Sequence, residues 1–352
     1  MKKHKKIIIY CCVAAALLIS IAGLLWKKYG QRATRYQCTN FAMGTYIQQT
    51  VYGKNATAAA SAAAKRIGEL DSTISWRTDG SDIARINKAA GTGWVSIQPE
   101  TASILKLSLD VAKETDGAFD PTILPISSMW DFGGNNQHVP PKADIQKFLK
   151  DVDYKNLRID TSKNAASLLN HYMGIDLGAV GKGAACTDAV DAYRSTGAEC
   201  GIIAVGGSIG MFGHKADGSP WDVAVRDPTV TDQNAAAMGE LSLTSGYVST
   251  SGTYELCFKQ NGTLYHHLLN AKTGYPENNG LTSVTIVVND GALSDALSTA
   301  CFLLGREKSA PLLKKYNADA IFIDNNKHVY VTANLKDKFT ITNSKFVLQP
   351  QG

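Results

Sequence analysis

The stretch Met173-Gly-Ile-Asp-Leu-Gly-Ala-Val-Gly-Lys-Gly183 carries the most information about the fold and the chemistry of this chain. Its apolar first half predicts a strand that ends on the carboxylate of Asp176. Small residues then break the strand, and Lys182 stands where the next helix is expected to begin. Exposed amides at a helix start, together with a lysine, attract anions. The stretch predicts a phosphate-handling turn, although an ordinary strand-to-helix turn fits the residue types equally well.

The P-loop, which is the obvious phosphate motif, does not fit this turn. It requires G-x-x-x-x-G-K-[ST]. Gly181-Lys182 supplies the GK pair, but the leading position is Asp176 and the last position is Gly183. Two of the four fixed positions therefore fail.

The charge of the chain is divided unevenly between its N-terminus and the rest. The 352 residues include 44% hydrophobic ones, an ordinary globular content. Residues 1–35 hold eight of the 36 Lys/Arg and no Asp/Glu, which leaves 28 basic against 31 acidic residues elsewhere. This slightly acidic body gives no support for a nucleic-acid surface.

An uncharged stretch over residues 7–26 follows four lysines. Its 20 residues would span about 30 Å as a helix, which matches one hydrocarbon core. The positive-inside rule then predicts a cytoplasmic tail over 1–6, a transmembrane signal-anchor over 7–26 and a linker over 27–39. The remaining residues, 40–352, would form an extracytoplasmic domain at the cell membrane. A cleaved signal peptide is the alternative.

Strands and helices alternate without a steady βαβ order, which predicts an α+β fold with mixed or largely antiparallel sheets. The predicted helices cover 56–74, 81–88, 99–114, 141–149, 184–195 and 294–304, with a loop over 127–140. The predicted strands cover 45–52, 157–159, 167–170, 201–205, 221–225, 239–243, 254–259, 281–288, 318–323 and 328–332. Five widely spaced cysteines follow residue 26 and form no CxxC motif, which favours buried thiols over a zinc or redox site and leaves disulfide pairing undecided.

Two sets of polar residues could carry chemistry. Asp295 and Thr299 are spaced i, i+4 on a predicted helix and share one face. Their hard oxygens suit Mg²⁺, and the alternative is a solvated polar face. His266 and His267 end a predicted strand, where either a catalytic base or a surface polar pair is expected.

Two serine-hydrolase patterns also occur. Residues 206–210 match G-x-S-x-G, but no helix is predicted after Ser208, so the nucleophile elbow is rejected. The elements Ser103-Ile-Leu-Lys106, Ser162-Lys-Asn164 and Lys272-Thr-Gly274 follow the order of penicillin-recognising serine enzymes. Because each element is short enough to arise by chance, this class is kept only as an alternative from a different reaction type.

Eight ordered blocks between Phe41 and Gly305 together resemble the ApbE family, the FAD:protein FMN transferases. The blocks are Phe41-Ala-Met43-Gly-Thr45, Trp76 before Asp79-Gly-Ser81, Gly117-Ala118-Phe119-Asp120-Pro121, Asp176-Leu-Gly-Ala179-Val-Gly-Lys182-Gly, Val205-Gly-Gly207, Ser249-Thr-Ser251-Gly252, His267-Leu-Leu269-Asn270-Ala-Lys-Thr-Gly274 and Ser294-Asp295-Ala-Leu-Ser-Thr299-Ala. The chain departs from the family where Asn270-Ala271 replaces part of His-x-x-Asp-Pro and where Ser208 replaces the Asn of Gly-Gly-Asn.

The resemblance implies a single T-fold-like α+β catalytic domain that uses FAD as substrate and Mg²⁺ as cofactor. It would attach FMN through a phosphoester to a Thr or Ser of a partner flavoprotein and release AMP. The implied metal ligands are the Ala179 carbonyl, Asp295 and Thr299. The expected catalytic residues are His267, Asp295 and Lys182. His267 resembles the family's base, and Lys182 with the metal would neutralise charge at the pyrophosphate. The implied flavin contacts are Met43, Trp76, Ala118, Phe119, Asp120, Asp176, Lys182 and Leu269.

The acceptors of the family look like D-G-x-[ST]-[GS]-A-[ST] segments, and this chain contains none, so modification of itself is not suggested. Two other functions stay open for a flavin-binding protein of this kind. One is an FAD pyrophosphatase that yields FMN and AMP, and the other is a non-catalytic flavin-binding electron carrier.

Overall fold

The computed structural model describes residues 34–215, 217–230 and 236–350. The predicted cytoplasmic tail and signal-anchor lie outside these ranges. Within them, no helix combines the length and the apolar character needed to cross a membrane.

The described residues form the following strands and helices. The strands are β1 Arg35–Ala42, β2 Thr45–Tyr52, β3 Val95–Ser96, β4 Leu157–Asp160, β5 Ala165–Leu168, β6 Cys200–Val205, β7 Ser208–Phe212, β8 Trp221–Arg226, β9 Ala237–Leu243, β10 Gly246–Gly252, β11 Cys257–Gln260, β12 Thr263–His266, β13 Leu281–Val288, β14 Asp319–Asp324, β15 His328–Val331, β16 Phe339–Ile341 and β17 Val347–Leu348. The helices are α1 Ala56–Ile74, α2 Asp82–Lys88, α3 Pro99–Glu114, α4 Leu124–Trp130, α5 Lys142–Leu149, α6 Gly181–Thr196, α7 Gly291–Leu304 and α8 Arg306–Tyr316, with short 3-10 turns at Tyr154–Asn156 and Ala333–Leu335.

A nine-stranded sheet organises the molecule, in the spatial order β1-β2-β6-β7-β10-β13-β14-β15-β17. All of its ladders are antiparallel except the short β15–β17 pair. Three smaller sheets, β16-β9-β8, β3-β5-β4 and β11-β12, are antiparallel throughout. The prediction of an α+β fold with largely antiparallel sheets is confirmed.

The two faces of the large sheet carry separate cores, because successive side chains of a strand point to opposite faces. In β14, Ala320 and Phe322 join the core beneath the helices, whereas Ile321 and Ile323 join the core beneath β16-β9-β8. Helix α1 lies on the first core through a stripe of buried apolar residues at helical spacing. That stripe is Ala56, Ala59, Ala60, Ala63, Ile67, Leu70 and Ile74.

Most predicted elements agree with the structure, and the differences have physical reasons. The predicted loop over 127–140 begins as helix α4, because Ile126 and Trp130 lie one turn apart and are both fully buried. Helices α6 and α7 each begin three residues before their predicted starts, on glycines that lower helix propensity. The predicted strand over 254–259 is confined to β11, with a turn before it.

The ordered sheet also begins earlier than the sequence suggested. Strand β1 starts at Arg35, so residues 35–39 of the predicted linker pair with β2. Cys38, Cys186, Cys200, Cys257 and Cys301 are free thiols. Three of them, Cys186, Cys200 and Cys301, are buried, as expected of small apolar side chains.

Candidate active site

A cavity of about 720 Å³ opens between the β1–β2 turn, the start of α6 and helix α7. Eleven of the twelve predicted site residues line it, and Trp76 is the exception. The eleven are Met43, Ala118, Phe119, Asp120, Asp176, Ala179, Lys182, His267, Leu269, Asp295 and Thr299. Residues spread over more than 250 positions of sequence therefore converge on one site.

Asp295 reaches from α7 to the first turn of α6. Its Oδ2 accepts a hydrogen bond from the Gly183 amide at 3.0 Å. In a regular helix that amide would bond to the carbonyl oxygen four residues earlier, which belongs to Ala179. Among the hydrogen bonds of the described residues, none ends on the Ala179 carbonyl oxygen. A carboxylate and a carbonyl oxygen that has no hydrogen-bond donor among the described residues thus come together in the lining of one cavity.

This meeting depends on the close approach of α6 and α7 at two glycines. A Cβ built on Gly183 would overlap the carbonyl oxygen of Gly291 and would lie 2.7 Å from the Cβ of Asp295. A Cβ on Gly291 would in turn overlap the carbonyl oxygen of Gly183. Neither position has a positive φ, so glycine is required here by space and not by backbone conformation.

Thr299 follows Asp295 by one helical turn and faces the same cavity. Its Oγ1 lies 3.1 Å from Oγ of Ser251 on β10. No group of three or more His, Cys, Asp and Glu side chains in the described part of the chain could hold a metal ion. The predicted ligand set differs from such a group because it has one carboxylate, one hydroxyl and one backbone carbonyl. This set suits a hard cation that fills its remaining coordination positions with water and phosphate oxygens.

Lys182 supplies positive charge at the centre of the site. Its Nζ donates to the Gly178 carbonyl at 3.1 Å. The negative charge of Asp295, followed by those of Glu255 and Asp176, raises the pKa of Lys182 although burial opposes this. The ammonium is therefore charged at neutral pH and can face an anionic substrate group.

Glu255 lines the cavity and was not predicted from the sequence. Burial raises the pKa of this carboxyl, while the charge of Lys182 opposes the rise. The only signal in the sequence was its position just after the Ser249–Gly252 block, where a single Glu between Tyr254 and Leu256 has no distinctive pattern.

The two histidines of the predicted pair have different surroundings. His267 lines the cavity and holds its Nδ1 3.2 Å from the Glu255 carbonyl oxygen, which can only accept. Nδ1 therefore carries the proton, and the lone pair of Nε2 stays available. Burial, followed by the charge of Lys182, lowers the pKa of His267 to about 3, so the ring is neutral at physiological pH. His266 is buried away from the cavity lining, with Nε2 3.1 Å from the Glu277 carbonyl.

The carboxylates of Asp176 and Asp120 accept several hydrogen bonds from their own and neighbouring loops. Asp176 accepts from the Gly178 amide at 2.9 Å and from the Ser127 hydroxyl at 2.8 Å. Asp120 accepts from the amide and hydroxyl of Thr122 and, through Oδ2, from the Tyr154 amide. Burial raises the pKa of Asp120, and these hydrogen bonds oppose the rise.

Met43 occupies the turn between β1 and β2 in an unusual backbone conformation. Met43 and Gly44 have φ of 52° and 68°, so both turn residues are left-handed, as in a type I′ hairpin turn. Asn-Gly is the usual pair there, because a larger side chain is strained at positive φ. The Met43 amide donates to Oδ2 of Asp71 on α1 at 2.8 Å, which fixes the turn against the helix.

Trp76 stands beside the cavity and not in its lining. The guanidinium of Arg77, which does line the cavity, lies 3.9 Å from the centre of the Trp76 ring. The indole Nε1 is buried and has no hydrogen-bond partner within the described part of the chain. The structure therefore places Trp76, a predicted flavin contact, outside the cavity lining and stacked against Arg77.

The serine-enzyme alternative is not supported, because its residues do not meet. Ser103 donates to the Pro99 carbonyl within its own helix, and Lys106 pairs with Asp110. None of the three short elements contributes to the cavity lining. Ser208 begins strand β7 after a Gly206-Gly207 turn, which confirms that no nucleophile elbow is present there.

Comparison with known proteins agrees with this geometry. The model of the ApbE family matches residues 43–322. A Treponema pallidum protein named FAD:protein FMN transferase is 30% identical over 90% of this chain and 92% of its own length. A Klebsiella pneumoniae protein of the same name is 28% identical over 88% of this chain and 96% of its own length.

Solved structures give the same result. The crystal structure of the ApbE protein from Thermotoga maritima has a TM-score of 0.80 and 31% identity, and the alignment covers 87% of this chain and 99% of that one. The flavin transferase ApbE from Vibrio cholerae has a TM-score of 0.78 at 22% identity over 87% and 99% of the two chains, which supports the fold. The sequence matches, the shared fold and the convergence of the predicted residues on one cavity lead to one conclusion: this chain belongs to the ApbE family.

Proposed function

We propose that this protein is a Mg²⁺-dependent FAD:protein FMN transferase that links FMN by a phosphoester to a Thr or Ser of a partner flavoprotein and releases AMP. One observation carries the proposal. At the start of α6, Asp295 accepts the amide hydrogen of Gly183, which leaves the Ala179 carbonyl oxygen without a donor among the described residues, and Lys182 lines the same cavity. A cavity of about 720 Å³ is of the size that holds a cofactor-sized ligand.

The donor set fits a magnesium ion. Ala179 would contribute its carbonyl oxygen, Asp295 the oxygen that is not bonded to the Gly183 amide, and Thr299 its hydroxyl oxygen. Mg²⁺ prefers few protein ligands and fills the remaining positions with water and substrate phosphate oxygens. When bound, the ion supplies charge neutralisation at the diphosphate of FAD.

The protein residues account for the remaining requirements of phosphoryl transfer. Lys182 holds the diphosphate by charge, and Asp176 and Met43 border the space available to the rest of FAD. Nε2 of His267 takes the proton of the acceptor hydroxyl as its oxygen bonds to the FMN phosphorus, and the bond from that phosphorus to the AMP oxygen breaks. Because the ring of His267 is neutral, it can accept that proton without first losing one.

The decisive experiment incubates the full-length protein with FAD, Mg²⁺ and a flavoprotein subunit that carries a D-G-x-[ST]-[GS]-A-[ST] segment. We expect one AMP per flavin and a covalent fluorescent band on the acceptor. An acceptor whose Thr/Ser is replaced by Ala is the control. AMP and free FMN without a band would instead indicate the FAD pyrophosphatase, in which water replaces the acceptor hydroxyl. Flavin binding without AMP would indicate an electron carrier.

We also propose that the enzyme is a single-pass membrane protein with its catalytic domain outside the cytoplasm. The uncharged stretch 7–26 after four lysines supports this. The eight residues 27–34 can span at most about 28 Å. This short tether would keep the active site near membrane-bound acceptors and raise their effective concentration. Protease accessibility of the catalytic domain in spheroplasts tests the orientation, and protection from protease would contradict it.

A further inference from the structure

Four buried hydroxyls join strand β10 to helix α7 in two matched pairs. Ser249 lies 2.6 Å from Ser294, and Ser251 lies 2.8 Å from Ser298. The pairs stay in step because two strand residues rise about 6.6 Å and four helix residues about 6 Å. The pairs differ in their further contacts: Ser251 also contacts Thr299 at 3.1 Å, whereas Ser249 also contacts Ser208 at 3.0 Å.

The direction of these hydrogen bonds follows from the number of protons. A hydroxyl has one hydrogen to donate. Ser298 gives its hydrogen to the Asp295 carbonyl at 2.8 Å, so towards Ser251 it can only accept. Ser251 therefore donates to Ser298, and the 3.1 Å contact with Thr299 requires that Thr299 donate to Ser251.

This order leaves the lone pairs of Thr299 Oγ1 without a hydrogen-bond donor among the described residues. If the hydroxyl hydrogen of Thr299 pointed towards a cation, it would repel the cation, whereas a lone pair of the oxygen can coordinate it. We infer that Ser251 is a positioning residue that keeps the Thr299 hydrogen turned away from the cavity and so prepares the Thr299 oxygen as a metal ligand. The inference rests on the proposed function only in assigning Thr299 to the metal.

The test measures binding of Mn²⁺, as a probe for Mg²⁺, to the full-length protein by electron paramagnetic resonance, together with the Mg²⁺ concentration for half-maximal transfer. Loss of a group that orients a metal ligand costs about 10- to 100-fold in affinity. We expect Ser251→Ala to weaken Mn²⁺ binding about 10-fold, with the rate at saturating Mg²⁺ close to that of the wild type. Ser249→Ala is the matched control, because it removes an equally buried hydroxyl of the same strand that does not contact Thr299, and it should leave Mn²⁺ binding unchanged.

A double-mutant cycle separates orientation from a general effect on packing. Thr299→Val removes the hydroxyl at nearly constant shape, and in that background Ser251→Ala should cause no further loss of Mn²⁺ affinity. Equal effects in both backgrounds, or equal effects of Ser251→Ala and Ser249→Ala, would overturn the inference. If Ser251→Ala does not fold, Ser298→Ala serves instead. It frees the Ser251 hydrogen to turn towards Thr299, so Mn²⁺ binding should again weaken, and unchanged binding would contradict the inference.

The outcomes also separate this inference from the proposed function. Wild-type protein that binds Mn²⁺ and obeys the cycle but transfers no flavin would reject the transferase and leave the role of Ser251 standing. Wild-type protein that transfers flavin while Ser251→Ala binds Mn²⁺ normally would reject the role of Ser251 alone.

Discussion

The substitution Gly183→Ala tests whether the spacing of α6 and α7 builds the site. The new Cβ would lie 2.7 Å from both the Gly291 carbonyl carbon and the Asp295 Cβ, which is 0.7 Å short of the 3.4 Å where ordinary contact begins. The obstruction is helix backbone, which cannot swing aside as a flexible side chain can. The Gly291 carbonyl oxygen lies closer still to the new Cβ, so the two helices must separate by more than 0.7 Å, which lengthens the 3.0 Å hydrogen bond between the Gly183 amide and Asp295.

The expected cost has two parts. Overpacking costs about 1–3 kcal/mol, and alanine in place of a helical glycine returns up to about 1 kcal/mol. Because the obstruction is rigid, the upper part of the overpacking range applies, and the net destabilisation is about 1–2 kcal/mol. With an unfolding entropy of about 2.1 cal/mol/K per residue, a domain of about 300 residues should lose about 2–3 °C in Tm. The effect on activity is larger, because a displacement near 1 Å can reduce a rate by about 10²-fold.

The assay combines thermal unfolding followed by circular dichroism with flavin transfer across a Mg²⁺ titration. Gly68→Ala is the control, because Gly68 lies in exposed helix α1 surface with open space around its Cβ position and no positive φ. That substitution should raise stability by up to about 1 kcal/mol and leave the Mg²⁺ dependence unchanged. A Gly183→Ala protein with wild-type Tm and wild-type Mg²⁺ dependence would refute the spacing argument.

Three further substitutions test individual contacts. Asp295→Ala removes the only carboxylate of the proposed ligand set and should abolish Mg²⁺-dependent transfer, and superimposable Mg²⁺ titrations of the mutant and the wild type would remove the metal assignment. His267→Ala should slow transfer by about 10²–10⁴-fold while the Kd for FAD, measured by flavin fluorescence, stays near wild type; loss of FAD binding would make His267 a ligand and not the base. Asp71→Ala removes the charged acceptor of the Met43 amide hydrogen bond, which is worth about 1.5–3 kcal/mol. The left-handed turn should loosen and the Kd for FAD should rise, and an unchanged Kd would show that Met43 does not contact the flavin.

Local chemistry made much of this molecule readable from sequence. The alanine helix over 56–74 is found with the predicted bounds, because small residues at helical spacing indicate both the element and its buried face. The turn after Asp176 is where the residue types placed it, and eight short blocks in order were specific enough to indicate the family. The two-turn helix α4 was missed because it is short and buries only two residues, Ile126 and Trp130. Their burial depends on distant partners such as the Gly274 carbonyl, which accepts a hydrogen bond from the Trp130 indole at 2.9 Å.

The sequence by itself determined many of the periodic elements, although not helix α8 or strands β7 and β10. It also determined the family and the identities of the predicted residues that border the cavity, since these follow from local pattern and motif order. Only the tertiary structure decided what those residues do to one another. It showed that Gly183 allows the close packing of two helices, that Arg77 stacks on Trp76, and that Ser251 lies within hydrogen-bond distance of both Ser298 and Thr299. The reason is that hydrogen-bond direction, desolvation and close contact depend on distances between residues far apart in the chain, and no local pattern encodes those distances.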